Sequence, residues 1–344
     1  ISTKGVLTSA GSRILENYIP IFDATVVERI SEEDTIILGK VKVKEFGLTP
    51  TKNVSKALSH KGAIWGLSTS QDSRKFSLKP TFGMISRYGV IGARSTFDQI
   101  VPITNSIEDM GAVLNSIVEY DQRDSTSIDM DKVDYTKALN TNIEGLKIAI
   151  PMELFTEDHS ILLYKTIEKL EKLGAIVQKI SLETLKYVLP VYKILSSAEF
   201  ASNAARYDGI SLGYRAKEYI DREELYKKSR AEGFGKEAKQ AILFGNYALS
   251  SGQYEKYYKK AQRVRAMIKE ELTTVTKEYG LLILPFTSGD KEEPYNLIGN
   301  ITGLPSLTMP GGLQIIGENF KEEELLKLAY VFENEVIKEV EKDA

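Results

Sequence analysis

The sequence has no cysteine and only two histidines, His60 and His159. Disulfides, thiolate metal sites and a cysteine nucleophile are thereby excluded. Two imidazoles are too few for a histidine-rich zinc site and leave little scope for a serine–histidine–aspartate triad. No apolar run approaches the length of a membrane span, and the start carries no signal-peptide pattern. Positive charge is not in excess either: the net charge is −3, which argues against nucleic-acid binding through an overall field. Together these absences lead us to expect a cytoplasmic chain with no membrane contact.

What is present is an ordinary globular composition. The chain has 344 residues, 42% of them apolar and 27% charged, enough to bury a large core. Asp23 is placed to cap a helix carrying Val26, Val27 and Ile30, followed by a strand-like run, Thr35-Ile36-Ile37-Leu38. Ser106, with Asp109 three residues later, has the form of a capping box opening a helix through Met110, Val113, Leu114 and Ile117. A strand at Leu146–Ile150 ends at Pro151. It leads into a helix with Leu163, Ile167 and Leu170 on one face and a stop at Gly174, and then into a second strand from Ala175 to Ile180. That β-α-β order predicts an α/β fold with some parallel pairing.

From residue 182 to residue 279 the pattern is almost wholly helical. Short strands return at Leu281–Leu284 and Leu313–Ile316, and an amphipathic helix is expected from Glu322 to Glu341. The expected architecture is a mixed sheet flanked by helices. It forms a single domain over residues 1–344 with a helical insertion at 182–279. The stretch from Tyr254 to Arg265, rich in tyrosine and in basic residues, has the composition to stack on bases or meet phosphates. A solvated helix face with its tyrosines packed on neighbours is the plainer reading of such a run.

Several segments carry a resemblance. They include Phe22-Asp23-Ala24-Thr25-Val26-Val27-Glu28-Arg29, Ile37-Leu38-Gly39-Lys40 with Glu45-Phe46, and Lys79-Pro80-Thr81 through Ser86-Arg87-Tyr88-Gly89. Arg206-Tyr207-Asp208-Gly209, Ser229 through Gly235, Gly303-Leu304-Pro305 and Gly312 through Gly317 continue the series in order. On these the chain resembles the amidase signature family, and within it the A-type subunits of glutamyl-tRNA(Gln) amidotransferases. Many of the glycines and prolines support the fold more than the chemistry, with Gly89, Gly209 and Gly235 expected at positive φ.

The resemblance implies amide hydrolysis by a serine nucleophile, a bridging serine in a cis peptide and a lysine base. A serine hydroxyl attacks well only when a neighbour takes its proton, and glycine-rich backbone then donates N–H groups to the oxyanion. It further implies glutamine as the amide and ammonia passed to a B-type subunit. B- and C-type partner subunits would assemble with the chain, and charged tRNA would be reached through that complex. No cofactor is implied in this chain; ATP and Mg²⁺ would belong to the partner subunit.

The catalytic parts align poorly. The family's lysine falls three residues before Ile1, and Lys4 corresponds to a different position. The interval between Phe46 and Lys79 is much shorter than the family's and holds no Gly-Gly-Ser-Ser-Gly-Gly-Ser run. Within it, Ser73 is the candidate nucleophile and Ser59 the weaker candidate for the bridging serine, although a loop serine is the plainer reading of each. Tyr192 matches a tyrosine of the substrate pocket. Ala241 stands where an arginine would hold the glutamine carboxylate, and no aspartate remains near Pro294-Tyr295-Asn296. Three readings stay open: an A-type amidotransferase component, a non-catalytic scaffold or binding protein of the same fold, and a stand-alone amidase.

Overall fold

The apolar runs of the second half of the chain, with several short segments of mixed polarity, pair into one sheet of eight strands. The structure is a computed structural model that describes residues 1–49, 53–60, 64–140, 142–155, 157–286 and 293–337. The strands are β1 (Trp65–Ser68), β2 (Phe76–Lys79), β3 (Val101–Thr104), β4 (Lys147–Pro151), β5 (Ile176–Ile180), β6 (Leu281–Pro285), β7 (Ser306–Met309) and β8 (Leu313–Ile316). Their order is β1-β3-β2-β7-β8-β6-β4-β5. Pairings of β4 with β5 and with β6 are parallel and the rest antiparallel. The mixed sheet read from the sequence is therefore present, and its parallel part is the expected β-α-β unit. Strand β5 stands at the edge and is the least buried, as an edge strand with Lys179 on it can be.

The helices are α1 (Thr25–Glu32), α2 (Asn53–His60), α3 (Ile107–Ile117), α4 (Glu157–Lys172), α5 (Val188–Ala204), α6 (Arg222–Gly233), α7 (Lys236–Leu249), α8 (Lys260–Tyr279), α9 (Ile298–Thr302) and α10 (Glu322–Val331). A π-helical turn, Phe332–Ile337, continues α10, and residues 338–341 of the expected C-terminal helix lie outside the described residues. Helix α3 opens as its sequence predicts, with the Ser106 hydroxyl accepting from the Asp109 N–H at 3.1 Å. None of the helices among the described residues is long and apolar enough to cross a membrane.

The chain divides into two compact units. One comprises Ile1–Asn53, Arg87–Asp98 and Pro190–Val264; the other comprises Val54–Ser86, Gln99–Leu189 and Arg265–Ala344 and holds the whole sheet. In the second unit, α3 and α10 pack on each other and on β7, β8, β2 and β3. In the first, Phe46 sits among the rings of Phe200, Tyr207 and Phe234, all with centroids 5.5–6.2 Å away. Ile14, Ala93, Ala204 and Ala238 complete that core. Gly245 of α7 lets two helices touch, because a Cβ there would lie 2.0 Å from the Ser197 carbonyl oxygen of α5.

Three local expectations are corrected. Thr35–Leu38 is not a strand: Ile36 and Leu38 are 82% and 69% exposed, and the unit that contains them offers no described strand to pair with. Asp23 does not cap α1. The N-cap is Ala24, and the Asp23 carboxylate instead accepts the Lys4 N–H at 2.7 Å. Gly89 and Gly209 do adopt positive φ, but Gly235 does not. Its hydrogen is needed because the Glu45 carboxylate bonds the Gly235 N–H at 3.0 Å and would sit 2.6 Å from a Cβ.

Replacing Ser106 with Ala should remove the α3 cap and cost about 1 kcal/mol of stability. Urea denaturation of the second unit's transition checks this, and an unchanged midpoint would refute the cap's contribution.

Candidate active site

Strands β2, β7 and β8 lie side by side in the middle of the sheet, and their register sorts side chains by polarity. Ser77 pairs with Thr308, Leu78 with Leu307 and Lys79 with Ser306. Thr308 in turn pairs with Gln314, and Leu307 with Ile315. Side chains alternate along a strand, so Ser77, Lys79, Ser306, Thr308 and Gln314 share one face while Leu78, Leu307 and Ile315 share the other. All five polar residues are fully buried. Burial at that depth is costly unless each group finds a partner.

The partners are there. Gln71 donates Nε2 to the carbonyls of Ser77 and Ser306, at 3.1 and 2.7 Å. The Ser306 hydroxyl lies 3.3 Å from Gln71 Oε1 and 3.1 Å from Gln314 Oε1. Gln314 donates Nε2 to the carbonyls of Pro285 and Tyr295. Ser77 Oγ is hydrogen-bonded to Thr308 Oγ1 and accepts the Asp72 N–H at 2.9 Å.

Ser73 lies in the turn between β1 and β2, next to this face, and is buried. Its neighbours hold the turn rigidly. Arg74 donates Nη2 to Asp72 Oδ2 at 2.6 Å and Nε to Oδ1 at 3.1 Å. Burial pushes the Asp72 carboxyl up, but the hydrogen bonds and charge of Arg74 outweigh it and leave the group below the usual carboxylate range. Ser59 is on helix α2 with its side chain exposed, and the Lys61-Gly62 pair beyond it lies outside the described residues. The described glycines of this interval are Gly47, in the short turn Glu45–Gly47, and Gly66, in β1, so the expected glycine-rich run around either serine has no counterpart among the described residues.

The sequence marks Lys79 only as part of a family motif and gives no signal of its burial. Its Nζ donates to the Pro80 carbonyl at 2.6 Å and to Gln99 Oε1 at 2.7 Å. Burial lowers its pKa to about 7, with the Glu322 charge opposing in part. Two N–H donors facing two acceptors match a neutral amine. Gly299 of α9 closes over it: a Cβ there would come within 2.7 Å of Lys79 Cε and 2.9 Å of Ser306 Cβ. Burial likewise raises Glu322, whose Oε1 accepts the Thr81 N–H at 2.7 Å. Chemically, this face offers an amine that exchanges a proton near neutrality beside several hydroxyls, already committed to internal partners.

Tyr192 belongs to the first unit. Its hydroxyl accepts from Arg94 Nη1 at 2.6 Å, and its ring meets Phe97 edge-on at 5.2 Å. Arg94 also bonds Asp98 Oδ1 through Nε at 3.0 Å and the Gly47 carbonyl through Nη2 at 2.9 Å. Ala241 packs against the aromatic core of the same unit, and Asn296 lies in a short 3-10 turn, Pro294–Leu297. In the basic stretch the tyrosines pack on one another, Tyr254 on Tyr258 and Tyr257 on Tyr247, and Lys259 pairs with Glu255. This matches a solvated helix face. Among the described residues no group of three His, Cys, Asp or Glu side chains could hold a metal ion.

The amidase family model matches residues 1–56 and 76–326. The chain belongs to the amidase family. The match skips residues 57–75, the interval that holds both Ser59 and Ser73. The A-type subunit of glutamyl-tRNA(Gln) amidotransferase from Thermoanaerobacter pseudethanolicus is 38% identical, covering 97% of this chain and 80% of that protein. That alignment runs over 393 positions, more than the 344 residues here, so the relative carries segments with no counterpart in this sequence. The crystal structure of the corresponding A-type subunit from Thermotoga maritima is 28% identical, with a TM-score of 0.76, over 97% of this chain and 81% of that one. A bacterial aryl acylamidase superposes with a TM-score of 0.80 at 17% identity, over 99% of this chain and 82% of that one, a likeness of fold alone.

The buried amine predicts a pH dependence. Between pH 7 and 10.5 the unfolded chain holds a proton on Lys79 that the folded chain has released. Stability should therefore rise with pH across that window and lack this contribution below it. Lys79→Met should flatten the rise, by up to about 1.4 kcal/mol per pH unit. Urea denaturation at several pH values compares the two proteins, and parallel curves would refute the assignment.

Proposed function

We propose that the chain is an A-type subunit of a glutamyl-tRNA(Gln) amidotransferase. It would hydrolyse glutamine and pass ammonia to a B-type subunit that amidates Glu-tRNA(Gln) with ATP and Mg²⁺, in a cytoplasmic complex that also contains a C-type subunit. The observation that carries this reading is the 38% identity to a curated A-type subunit across 97% of the chain. On this reading Ser73 is the nucleophile, Ser59 the weaker candidate for the bridging serine and Tyr192 a substrate contact. Support for Ser73 is its place in the rigid turn beside the buried polar face.

A second reading, a non-catalytic scaffold that keeps the fold and the partner surface, has its own observation in its favour. The family match breaks off across residues 57–75, where the hydrolytic serines should lie, and Ala241 is occupied in packing.

One reconstitution separates them. The chain is co-purified with B- and C-type subunits and assayed for glutamine-dependent ammonia release. The first reading expects release that Ser73→Ala lowers by at least about 100-fold, the usual order for loss of an activated nucleophile. A stable complex without release selects the scaffold. Failure to bind any B-type subunit would remove both.

A further inference from the structure

The first unit contains a half-open cleft of about 610 Å³ that the proposed chemistry does not use. Its walls are the segments around Ile14–Tyr18, Val90–Gly92, Arg206–Tyr207 and Leu212–Lys217. The backbone ties two of them together, with the Tyr214 N–H donating to the Ile14 carbonyl at 2.7 Å. The Tyr207 ring packs inward on Phe46 and Phe234. Its hydroxyl feels the charge of Arg206 and the phenol of Tyr18, both on the cleft wall. Although Tyr207 is only 6% exposed, its hydroxyl makes no hydrogen bond among the described residues. Tyr207 lines the cleft, and a wall hydroxyl without a protein partner can donate to a ligand there.

The charge on the wall is unbalanced. Arg206, Arg215 and Lys217 line it against the single carboxylate of Glu16, and Glu16 already faces Arg13 at 3.7 Å. Arg206 uses Nε and Nη2 on Asn203, and Arg215 uses Nη2 on the Tyr219 hydroxyl. The Lys217 ammonium has no partner among the described residues. This cationic wall also carries apolar residues in the open. Leu212 in the wall is 52% exposed, and Ile19, next to Tyr18, is 54% exposed.

We propose that this cleft docks a peptide segment of a partner protein in which acidic and aliphatic residues alternate. Its carboxylates would meet Arg206, Arg215 and Lys217, one of them would accept from the Tyr207 hydroxyl, and its aliphatic side chains would cover Leu212 and Ile19. Nucleic acid fits less well, since a phosphate chain gains nothing from the exposed leucine and isoleucine. The cleft belongs to the first unit alone, so docking there holds whether or not the chain hydrolyses glutamine.

The test uses the full chain with three fluorescent probes: a peptide alternating leucine and glutamate, the same peptide with lysine for glutamate, and a single-stranded oligouridylate. The leucine–glutamate peptide should bind, more weakly at high salt, and Lys217→Glu should weaken it by about tenfold. Glu16→Gln should tighten it. Because the Lys217 ammonium is unpaired among the described residues, its variant should fold normally, and an unchanged thermal midpoint verifies that. No binding of the acidic peptide, equal binding of the lysine peptide, or preference for oligouridylate would each overturn the proposal. So would an affinity that Lys217→Glu leaves unchanged.

Discussion

The sheet of the second unit depends on keeping one face of its central strands polar and entirely dry. Five polar side chains from β2, β7 and β8 are buried there without access to water. Such a layer is stable only if its donors and acceptors are matched throughout, because a half-satisfied network is worse than an apolar one. Gln71 and Gln314 do most of the matching, each bonding two backbone carbonyls with one amide nitrogen. The lowered pKa of Lys79 follows from the same burial, and among the described residues its amine meets two acceptors, the Pro80 carbonyl and Gln99 Oε1. Gly299 is part of it too, because any larger residue would push the lysine stem and Ser306 apart.

This constraint bears on function. A lysine whose pKa is about 7 has the acid–base property that serine amidases need. Here both of its protons are bonded to acceptors that are not reacting groups. Its surroundings are dry, the condition in which such chemistry works. The stretch that the family match skips, residues 57–75, holds the end of helix α2, strand β1 and the Asp72–Arg74 turn. In the first unit the same tendency is visible at Arg94. Its guanidinium is shared among Asp98, Gly47 and Tyr192, so Tyr192 serves as an acceptor for a buried cation.

The parts of the fold legible in the sequence are those with strong local chemistry. The Ser106 cap, the helix ending at Gly174, the parallel strands on either side of it and the apolar run at Leu281 all rely on contacts a few residues apart or on an unbroken hydrophobic pattern. Strands β2 and β7 are not legible, since Phe-Ser-Leu-Lys and Ser-Leu-Thr-Met read as half-solvated segments. The run at Thr35 misleads in the opposite direction. It has strand-forming residues, but a strand needs a neighbour, and none is described within its unit.

The sequence by itself determined the family, through ordered motifs from Phe22 to Gly317. It also determined the alternation of sheet and helix, through periodicity that each segment carries alone. Only the tertiary structure decided that the motif lysine, Lys79, is a buried, near-neutral amine rather than a surface charge. Only the structure assigned Gly235 to a close carboxylate contact rather than a left-handed turn, and Tyr192 to an arginine in its own unit. The physical reason is common to all three. Burial, dielectric and hydrogen-bond partner are properties of groups brought together from distant parts of the chain, such as Lys79 with Gly299 and Glu45 with Gly235. No local pattern records them.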